Sequence, residues 1–214
     1  MRLAGLILAG GRSSRMGLPK ATLPFGPESM LQRVVRLLGG VVQPIVVVAA
    51  PSQALPPLPS QVTVARDERE GRGPLEGLRA GLAALTPHAD AAYATSCDVP
   101  LLVPAFVRAM IDRLGDAEVA VPVEGEFPLP LAAVYRTSVL PHVEALLAAD
   151  RLRPTFLYER VITRRIPVDE LRIVDPHLLT LRNLNQPEDY LAALAEAGFT
   201  PDPAILAALV PPRT

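Results

Sequence analysis

Two segments near the start of the chain are apolar at every position, and they constrain the fold more than any other feature. Leu3–Ala9 and Ile45–Ala50 contain no polar or charged side chain. A strand with one face in water alternates apolar and polar residues, whereas a strand covered on both faces is apolar throughout. Both segments are therefore predicted to be interior strands of a sheet that carries helices on both faces.

Strand-like and helix-like segments then alternate through the first half of the chain. In order they are a helix at Ser29–Leu38, a strand at Val62–Ala65, a helix at Gly73–Leu85, a strand at Ala91–Ser96, a helix at Pro104–Leu114 and a strand at Val119–Val121. This alternation predicts an α/β fold with a mainly parallel sheet. Ligands of such folds bind beyond the carboxyl ends of the strands.

The second half of the chain is less regular. It contains predicted strands at Leu131–Tyr135 and Ile162–Pro167, and predicted helices at Leu140–Ala148, Thr155–Arg160, Glu188–Ala197 and Pro203–Leu209. The length of 214 residues is that of one domain. We therefore expect a single domain with a short tail over residues 198–214.

Composition excludes several classes of protein. The net charge of −1 leaves no broad basic face, so nucleic-acid binding is not expected. The single cysteine, Cys97, rules out an internal disulfide and favours a reducing, cytoplasmic compartment. No apolar run reaches 18 residues, so no membrane span is expected. The apolar start is followed directly by Arg12 and Arg15, which favours a strand over a cleavable signal peptide.

The loop after the first strand carries the only lysine of a chain with 20 arginines. Gly10 and Gly11 allow the backbone to approach a ligand closely, and Arg15 and Lys20 add positive charge. Lysine is a compact point charge, whereas arginine is a wide planar fork, so Lys20 is expected to do what an arginine could not. The loop matches neither the P-loop nor the dinucleotide fingerprint. It is predicted to bind phosphate; the alternative is an ordinary strand–helix loop.

Two further strand and helix ends point to the same ligand. Asp98 follows the apolar strand at Ala91–Ser96, where a carboxylate is well placed to hold Mg²⁺ against phosphate oxygens. The alternative for Asp98 is a helix cap or a turn residue. Gly73 opens a helix with Pro74 in its first turn, and a helix N-terminus favours an anion.

Gly77 and Gly81 are four residues apart and share one face of that helix. Each costs roughly 1 kcal/mol relative to alanine, so a neighbour must approach this face closely. The neighbour is either a strand of the sheet or a nucleotide. Asn183 and Asn185 precede another predicted helix, and one alternative for Asn185 is that it caps this helix.

Five short motifs occur in the order in which one known family carries them. They are L-A-G-G-x-S-x-R-M-G-x-x-K at Leu8–Lys20, G-P-L-x-G-L at Gly73–Leu78, C-D-x-P-L at Cys97–Leu101, P-L-x-A-x-Y at Pro130–Tyr135 and N-x-N-x-P-E-D at Asn183–Asp189. Together they resemble the molybdenum cofactor guanylyltransferases of the MobA family. The first motif alone marks the wider nucleotidyltransferase superfamily.

The resemblance implies a three-layer, Rossmann-like nucleotidyltransferase fold that transfers GMP from GTP-Mg²⁺ to molybdopterin or its molybdenum-loaded form. It implies a nucleotide-binding half at residues 1–122 and a pterin-side half at residues 123–197. Transient contacts with proteins that deliver the cofactor are also expected. Carried over by motif, the nucleotide would meet Leu8, Ala9, Gly10, Gly11, Lys20, Asp67, Gly73 and Asp98. Lys20, Asp98 and Arg15 would be catalytic, Asp98 would hold Mg²⁺, and Asn183, Asn185 and Arg151 or Arg153 would face the pterin phosphate.

Three positions depart from the family pattern. Ala49 stands where asparagine is frequent, Leu129 where histidine or glutamine is frequent, and Gly26-Pro27-Glu28 where Gly-Lys is usual. Two alternatives follow. One is the CTP-dependent cytidylyltransferase of the same pathway, whose relatives begin L-A-A-G rather than L-A-G-G. The other is a nucleotide-binding module without turnover.

Overall fold

The apolar segments of the sequence form the interior of a central sheet. In this computed structural model, residues 1–10, 16–67 and 71–209 are described. The first strand, β1 (Leu3–Leu8), pairs with β4 (Ile45–Ala49) on one side and β6 (Ala91–Ser96) on the other. All three strands are buried over almost their whole length, as the uninterrupted apolar sequences of β1 and β4 predict.

The other strands complete the sheet and add one small hairpin. They are β2 (Pro24–Phe25), β3 (Glu28–Ser29), β5 (Val62–Arg66), β7 (Val119–Glu124), β8 (Phe127–Pro128), β9 (Ala133–Arg136) and β10 (Thr163–Pro167). Within the described residues the main sheet has the order β10-β7-β9-β6-β1-β4-β5, with β8 beside β7. Along that order only β9 runs against its neighbours. The predicted mainly parallel sheet is confirmed.

Helices cover both faces of the sheet. They are α1 (Met30–Gly39), α2 (Pro74–Leu85), α3 (Pro104–Asp112), α4 (Leu140–Ala148), α5 (Pro187–Glu196) and α6 (Pro203–Leu209). The apolar stripes of α1 and α3 pack on one face of the sheet. Those of α2 and α4 pack on the other. The result is the predicted three-layer α/β arrangement.

A third apolar cluster joins the β2–β3 hairpin to α5. Phe25 of the β2–β3 hairpin packs with Leu184 and with Tyr190 of α5. The Tyr190 hydroxyl also donates to the Pro24 carbonyl. Because of this cluster, the segment that follows Lys20 and the segment that precedes α5 lie side by side although about 160 residues separate them.

The two glycines of α2 accommodate a strand. An added Cβ would lie 2.1 Å from a methyl carbon of Leu6 at Gly81, and 3.0 Å from one of Leu8 at Gly77. Both leucines belong to β1 and are buried. Close packing of the helix on β1 therefore explains both glycines, which decides between the two neighbours that the sequence left open.

Three predicted elements, from residue 119 onward, are wrong in extent or type. The predicted helix at Thr155–Arg160 is only a 3₁₀ turn, Pro154–Phe156. The strand at Leu131–Tyr135 begins two residues later, after a 3₁₀ turn at Pro130–Ala132. Strand β7 continues past Pro122, which pairs with Ile166 of β10. Short turns decide these boundaries, and turns leave little periodicity in a sequence.

The described helices are all too short or too polar to cross a bilayer.

Candidate active site

A cavity of about 500 Å³ opens at the carboxyl edge of the sheet. Its lining includes residues at or near the carboxyl ends of four parallel strands, namely Leu8, Gly10, Val48, Ala50, Asp67, Ser96 and Asp98. Gly73, Pro74 and Gly77 at the start of α2 close one side, and Asn183 closes another. This is the edge where open parallel sheets bind ligands.

Lys20 meets Asp98 at this edge. Its Nζ lies 3.0 Å from Asp98 Oδ2 and donates at 2.8 Å to Asn185 Oδ1. The side chains of Lys20 and Asp98 are each 16% exposed, so water screens the pair only partly. The structure thus brings three of the predicted site residues together, from segments 78 and 165 residues away from Lys20.

The backbone keeps this cluster in place. Cys97 N donates to the Leu8 carbonyl at 3.0 Å, which continues the β1–β6 pairing up to the residue before Asp98. Leu184 N donates to the Asp98 carbonyl at 2.9 Å, so both asparagines flank that carbonyl. Burial raises the pKa of Cys97 to about 12, so its thiol stays protonated at neutral pH. Cys97 therefore packs beside the site and offers no nucleophile.

The donor set at Asp98 suits a hard cation. Ser96 Oγ donates to Asp98 Oδ1, and Lys20 is on the other carboxylate oxygen. These contacts use two of about four acceptor positions on a carboxylate. No cluster of three histidine, cysteine or acidic side chains occurs among the described residues. One carboxylate with further ligands from phosphate is how proteins commonly hold Mg²⁺, so Asp98 fits that role.

Asp67 lies on the opposite side of the cavity, just after β5. Its backbone N–H donates to the Ala49 carbonyl at 2.9 Å. Its Oδ1 is buried, and no donor in the described part of the chain reaches it. Burial, with a smaller contribution from the Glu76 charge, raises the pKa of Asp67. A carboxylate kept without a donor inside a cavity is costly, and a ligand N–H would relieve that cost.

Asp67→Asn is expected to raise the Tm of the unliganded protein by roughly 1–2 °C while weakening nucleotide binding. The pKa of Asp67 is higher in the folded than in the unfolded protein. The protonated side chain therefore favours the folded state at low pH, and this contribution is lost as the pH rises from the unfolded-state pKa through the folded-state pKa. At neutral pH the ionised carboxylate therefore costs stability, and asparagine removes this cost. Thermal unfolding should show the Tm gain at neutral pH and a smaller gain near pH 3.8, the ordinary carboxyl pKa.

The Asp67 result has a clear opposite. A variant that is less stable than the wild type at neutral pH would mean that the carboxylate is satisfied in the folded protein. In that case Asp67 Oδ1 would not need a hydrogen-bond donor from a ligand.

Arg72 lines the cavity and was not among the predicted site residues. Its Nη2 donates to the Leu147 carbonyl at 2.8 Å and lies 3.1 Å from Asp150 Oδ1. These contacts tie the start of α2 to the end of α4. The signal in the sequence was its place directly before the G-P-L-x-G-L motif.

Other predicted residues are placed less centrally. Gly11 and Arg15 lie outside the described residues, so their predicted roles stay predictions. Ala9 is buried on the α1 side and reaches the edge only through its carbonyl. Arg151 places its guanidinium 4.6 Å from the centre of the Phe156 ring and does not line the cavity. Arg153 is exposed.

The alternative role for Asn185 as a helix cap is wrong. The N-cap of α5 is Gln186, and Asp189 Oδ2 accepts from the backbone N–H groups of Asn185 and Gln186. The Asn185 side chain is therefore available to Lys20. Ala49, which departs from the asparagine pattern, is fully buried in β4.

A larger groove, of about 880 Å³, lies at the opposite edge of the sheet. It runs between α1 and the proline-rich segment before β5, with Pro57, Leu58 and Pro59 on one wall. Neither Lys20 nor Asp98 is near it, and it lies at the amino ends of β4 and β5. Chemistry therefore favours the smaller cavity as the active site despite the greater volume of this groove.

The sequence of the chain matches known proteins closely. Residues 5–164 match the family model described as MobA-like NTP transferase domain. A probable molybdenum cofactor guanylyltransferase of Mycobacterium ulcerans is 41% identical over 176 residues, which are 78% of this chain and 85% of that protein. A probable molybdenum cofactor guanylyltransferase of Mycobacterium tuberculosis is 39% identical over 188 residues, which are 86% of this chain and 89% of that protein.

Solved structures share the fold at lower identity. Molybdopterin-guanine dinucleotide biosynthesis protein A from Archaeoglobus fulgidus has a TM-score of 0.75 at 21% identity, over 92% of this chain and 99% of the other. The 2-C-methyl-D-erythritol 4-phosphate cytidylyltransferase of Thermus thermophilus has a TM-score of 0.66 at 16% identity, over 92% and 100%. The fold thus serves different nucleotides and acceptors, and it does not select between them.

The family match covers most of the chain, and the relatives exceed 30% identity over more than three quarters of it. The motifs that suggested the family meet at one edge of a Rossmann-like sheet. The chain therefore belongs to the MobA-like NTP transferase family and is a nucleotidyltransferase of molybdenum cofactor biosynthesis.

Proposed function

We propose that this enzyme transfers GMP from GTP-Mg²⁺ to molybdopterin or its molybdenum-loaded form, forming molybdopterin guanine dinucleotide and releasing pyrophosphate. The observation that carries the proposal is the contact of Lys20 with both Asp98 and Asn185 at the cavity edge. The names of the mycobacterial relatives support guanylyl transfer.

In the proposed reaction a phosphate oxygen of molybdopterin attacks the α-phosphorus of GTP. A new P–O bond forms as the bond from the α-phosphorus to the α–β bridging oxygen breaks, and pyrophosphate leaves with that oxygen. The attacking phosphate is already an anion, so no general base is needed. Catalysis then depends on alignment and on positive charge around the phosphates.

Lys20 supplies part of that charge. Its Nζ is held by acceptors on two sides, so its position costs no reorganisation when the triphosphate arrives. Asp98 would hold Mg²⁺, which when bound neutralises charge on the phosphate oxygens. Arg15 is proposed to add a further positive charge from the same loop.

The two ends of the nucleotide are assigned from the order of the strands. Asp98 follows β6 and Asp67 follows β5, three positions further along the sheet. At about 4.8 Å per strand this is roughly 14 Å, comparable to the length of an extended nucleotide. With the phosphates at Lys20 and Asp98, the base lies toward Asp67. Its Oδ1, which has no donor among the described residues, could accept from guanine N–H groups.

The pterin end is proposed to lie toward Asn183, which lines the cavity beside Asp98. Asn185 and Arg151 or Arg153 are proposed to contact the pterin phosphate from the same side. We further propose that the enzyme acts in the cytoplasm and receives its pterin substrate through transient contacts with delivery proteins.

Base choice is tested by thermal shift with GTP, CTP and ATP, each with Mg²⁺. At about 100 times its Kd a ligand stabilises by about 2.7 kcal/mol. For a chain of this size that raises Tm by roughly 5–10 °C. GTP is expected to give this shift, and CTP and ATP clearly smaller ones. A larger shift with CTP would replace the guanylyl assignment by the cytidylyl one.

Turnover is tested by pyrophosphate release from GTP, Mg²⁺ and molybdopterin. Release that requires all three components is the expected result. A shift with GTP but no pyrophosphate would instead identify a nucleotide-binding module without turnover.

A further inference from the structure

At the carboxyl ends of β1 and β4, a side chain replaces the last backbone hydrogen bond between the two strands. The register pairs Leu8 with Val48, and Ala9 N donates to the Val48 carbonyl at 2.8 Å. A parallel ladder would continue with Ala50 N donating to the Ala9 carbonyl. The Gln53 carboxamide instead stands between these two groups. Its Nε2 donates to Ala9 O at 2.8 Å, and its Oε1 accepts from Ala50 N at 3.1 Å.

The inserted carboxamide sets how far the two strand ends stand apart. A direct bond would bring Ala9 O and Ala50 N within about 3 Å. Two hydrogen bonds through a planar amide group require a wider separation. Gln53 therefore acts as a spacer at the carboxyl ends of β1 and β4.

The spacer is itself held from β5. One nitrogen of Arg66, Nη1, donates to the carbonyls of Ala50 and Gln53, both at 2.8 Å. Gln53 N also donates to the Ala50 carbonyl at 3.1 Å, which closes the turn. These bonds restrict the backbone of the 50–53 turn, so that the Gln53 side chain is directed toward β1.

The separated strand ends form one wall of the cavity. Gly10 directly follows Ala9, and both Gly10 and Ala50 line the cavity together with Asp67. An added Cβ on Gly10 would lie 3.5 Å from Ala50 N and 3.6 Å from Asp67 Oδ2. Any change in the separation of the strand ends would therefore move the groups that face the Asp67 end of the cavity.

We propose that Gln53 is a positioning residue that sets the width of the base end of the nucleotide site and so contributes to base selectivity. The proposal rests on the proposed function, because that assigns the base to the Asp67 end. Gln53 acts through Gly10 and Ala50 and does not itself line the cavity.

If Gln53 only stabilised the loop, its loss would have different effects from the loss of a spacer. Losing a brace lowers stability, but the folded variant would bind all nucleotides as before. Losing a spacer changes affinity and selectivity for the base, while the phosphate end at Lys20 and Asp98 keeps its geometry. A split between KM and kcat therefore separates the two roles.

The test compares Gln53→Ala with wild type for Kd of Mg-GTP, Mg-CTP and Mg-ATP, and for KM and kcat of pyrophosphate release. Each of the two neutral hydrogen bonds of Gln53 is worth a few-fold in an equilibrium constant. Without them, nucleotide binding must restore the wild-type spacing of the strand ends at that cost, so Kd and KM for the preferred nucleotide are expected to rise roughly tenfold. Selectivity over the other two nucleotides should fall roughly threefold or more, and kcat should change less than about twofold.

Two further variants sharpen the test. Gln53→Glu keeps an acceptor for Ala50 N but sets a carboxylate oxygen against the Ala9 carbonyl, so it should weaken binding at least as much as alanine does. Gln61→Ala is the matched control, because this exposed glutamine precedes β5 at the opposite edge of the sheet. It should leave all the constants unchanged.

The outcomes separate this inference from the proposed function. Unchanged Kd and selectivity in folded Gln53→Ala and Gln53→Glu would overturn the role of Gln53, as would a fall in kcat at constant KM. A wild-type preference for CTP would overturn guanylyl transfer, while the effect of Gln53 would then be read on CTP. If Gln53→Ala does not fold, Gln53→Glu decides the question by the same constants.

Discussion

Replacing Asp98 by asparagine is expected to lower kcat/KM for pyrophosphate release by roughly 10³-fold. The change keeps the size of the side chain but removes the negative charge that would hold the cation against the phosphates. Loss of one preorganised electrostatic contact in an active site costs about 10²–10³-fold, and loss of metal affinity adds to it. The Lys20 ammonium, whose side chain is only 16% exposed, would also lose its charged partner.

The Asp98 measurement is a titration of activity with Mg²⁺ at saturating GTP. The variant should need more Mg²⁺ than wild type and should reach a lower plateau. Asp169→Asn is a suitable control, since Asp169 is 83% exposed, pairs with Arg172 and does not line the cavity. An unchanged Mg²⁺ dependence in Asp98→Asn would remove this residue from the metal site and leave it as a partner for Lys20 alone.

Replacing Lys20 by arginine is expected to lower kcat by roughly 10²-fold or more, with little change in Tm. The charge is kept, so only its shape differs. The ammonium lies 3.0 Å from Asp98 Oδ2 and 2.8 Å from Asn185 Oδ1. A guanidinium is planar and wider, and it cannot place its charge at the same point between these two acceptors.

Single-turnover rates and Tm values for Lys20→Arg separate chemistry from folding. Arg172→Lys exchanges the same two cationic side chains in the opposite direction at an exposed ion pair, so it serves as the control and should behave as wild type. Wild-type rates in Lys20→Arg would mean that positive charge anywhere near the phosphates is enough. The single lysine would then have no geometric role in catalysis.

Much of the fold could be predicted because buried parallel strands have a local signature. Leu3–Ala9 and Ile45–Ala50 are apolar throughout, and both are interior strands. The pattern was weaker after residue 123, where the polypeptide forms turns such as Pro130–Ala132 and Pro154–Phe156. The antiparallel direction of β9 had no local signal, because a strand has the same alternation whichever way it runs.

Part of the candidate site could likewise be predicted from the sequence, and part could not. Lys20, Asp98 and Asn185 were identified from the sequence because each lies within a short motif. Gln53 was missed, because a glutamine in a proline-rich loop has no pattern of its own. Its role depends on where its carboxamide lies in space.

By itself, the sequence determined the layers of the fold and the family, and it predicted the edge at which a ligand binds, because burial periodicity and ordered motifs are local features of the chain. Only the tertiary structure decided that Lys20 contacts Asp98 and Asn185, that β1 fills the glycine face of α2, and that Gln53 separates two strand ends. Hydrogen bonds and close packing depend on distances of a few tenths of an ångström between distant segments. Such distances are set by the packing of the whole chain and leave no periodic trace in its sequence.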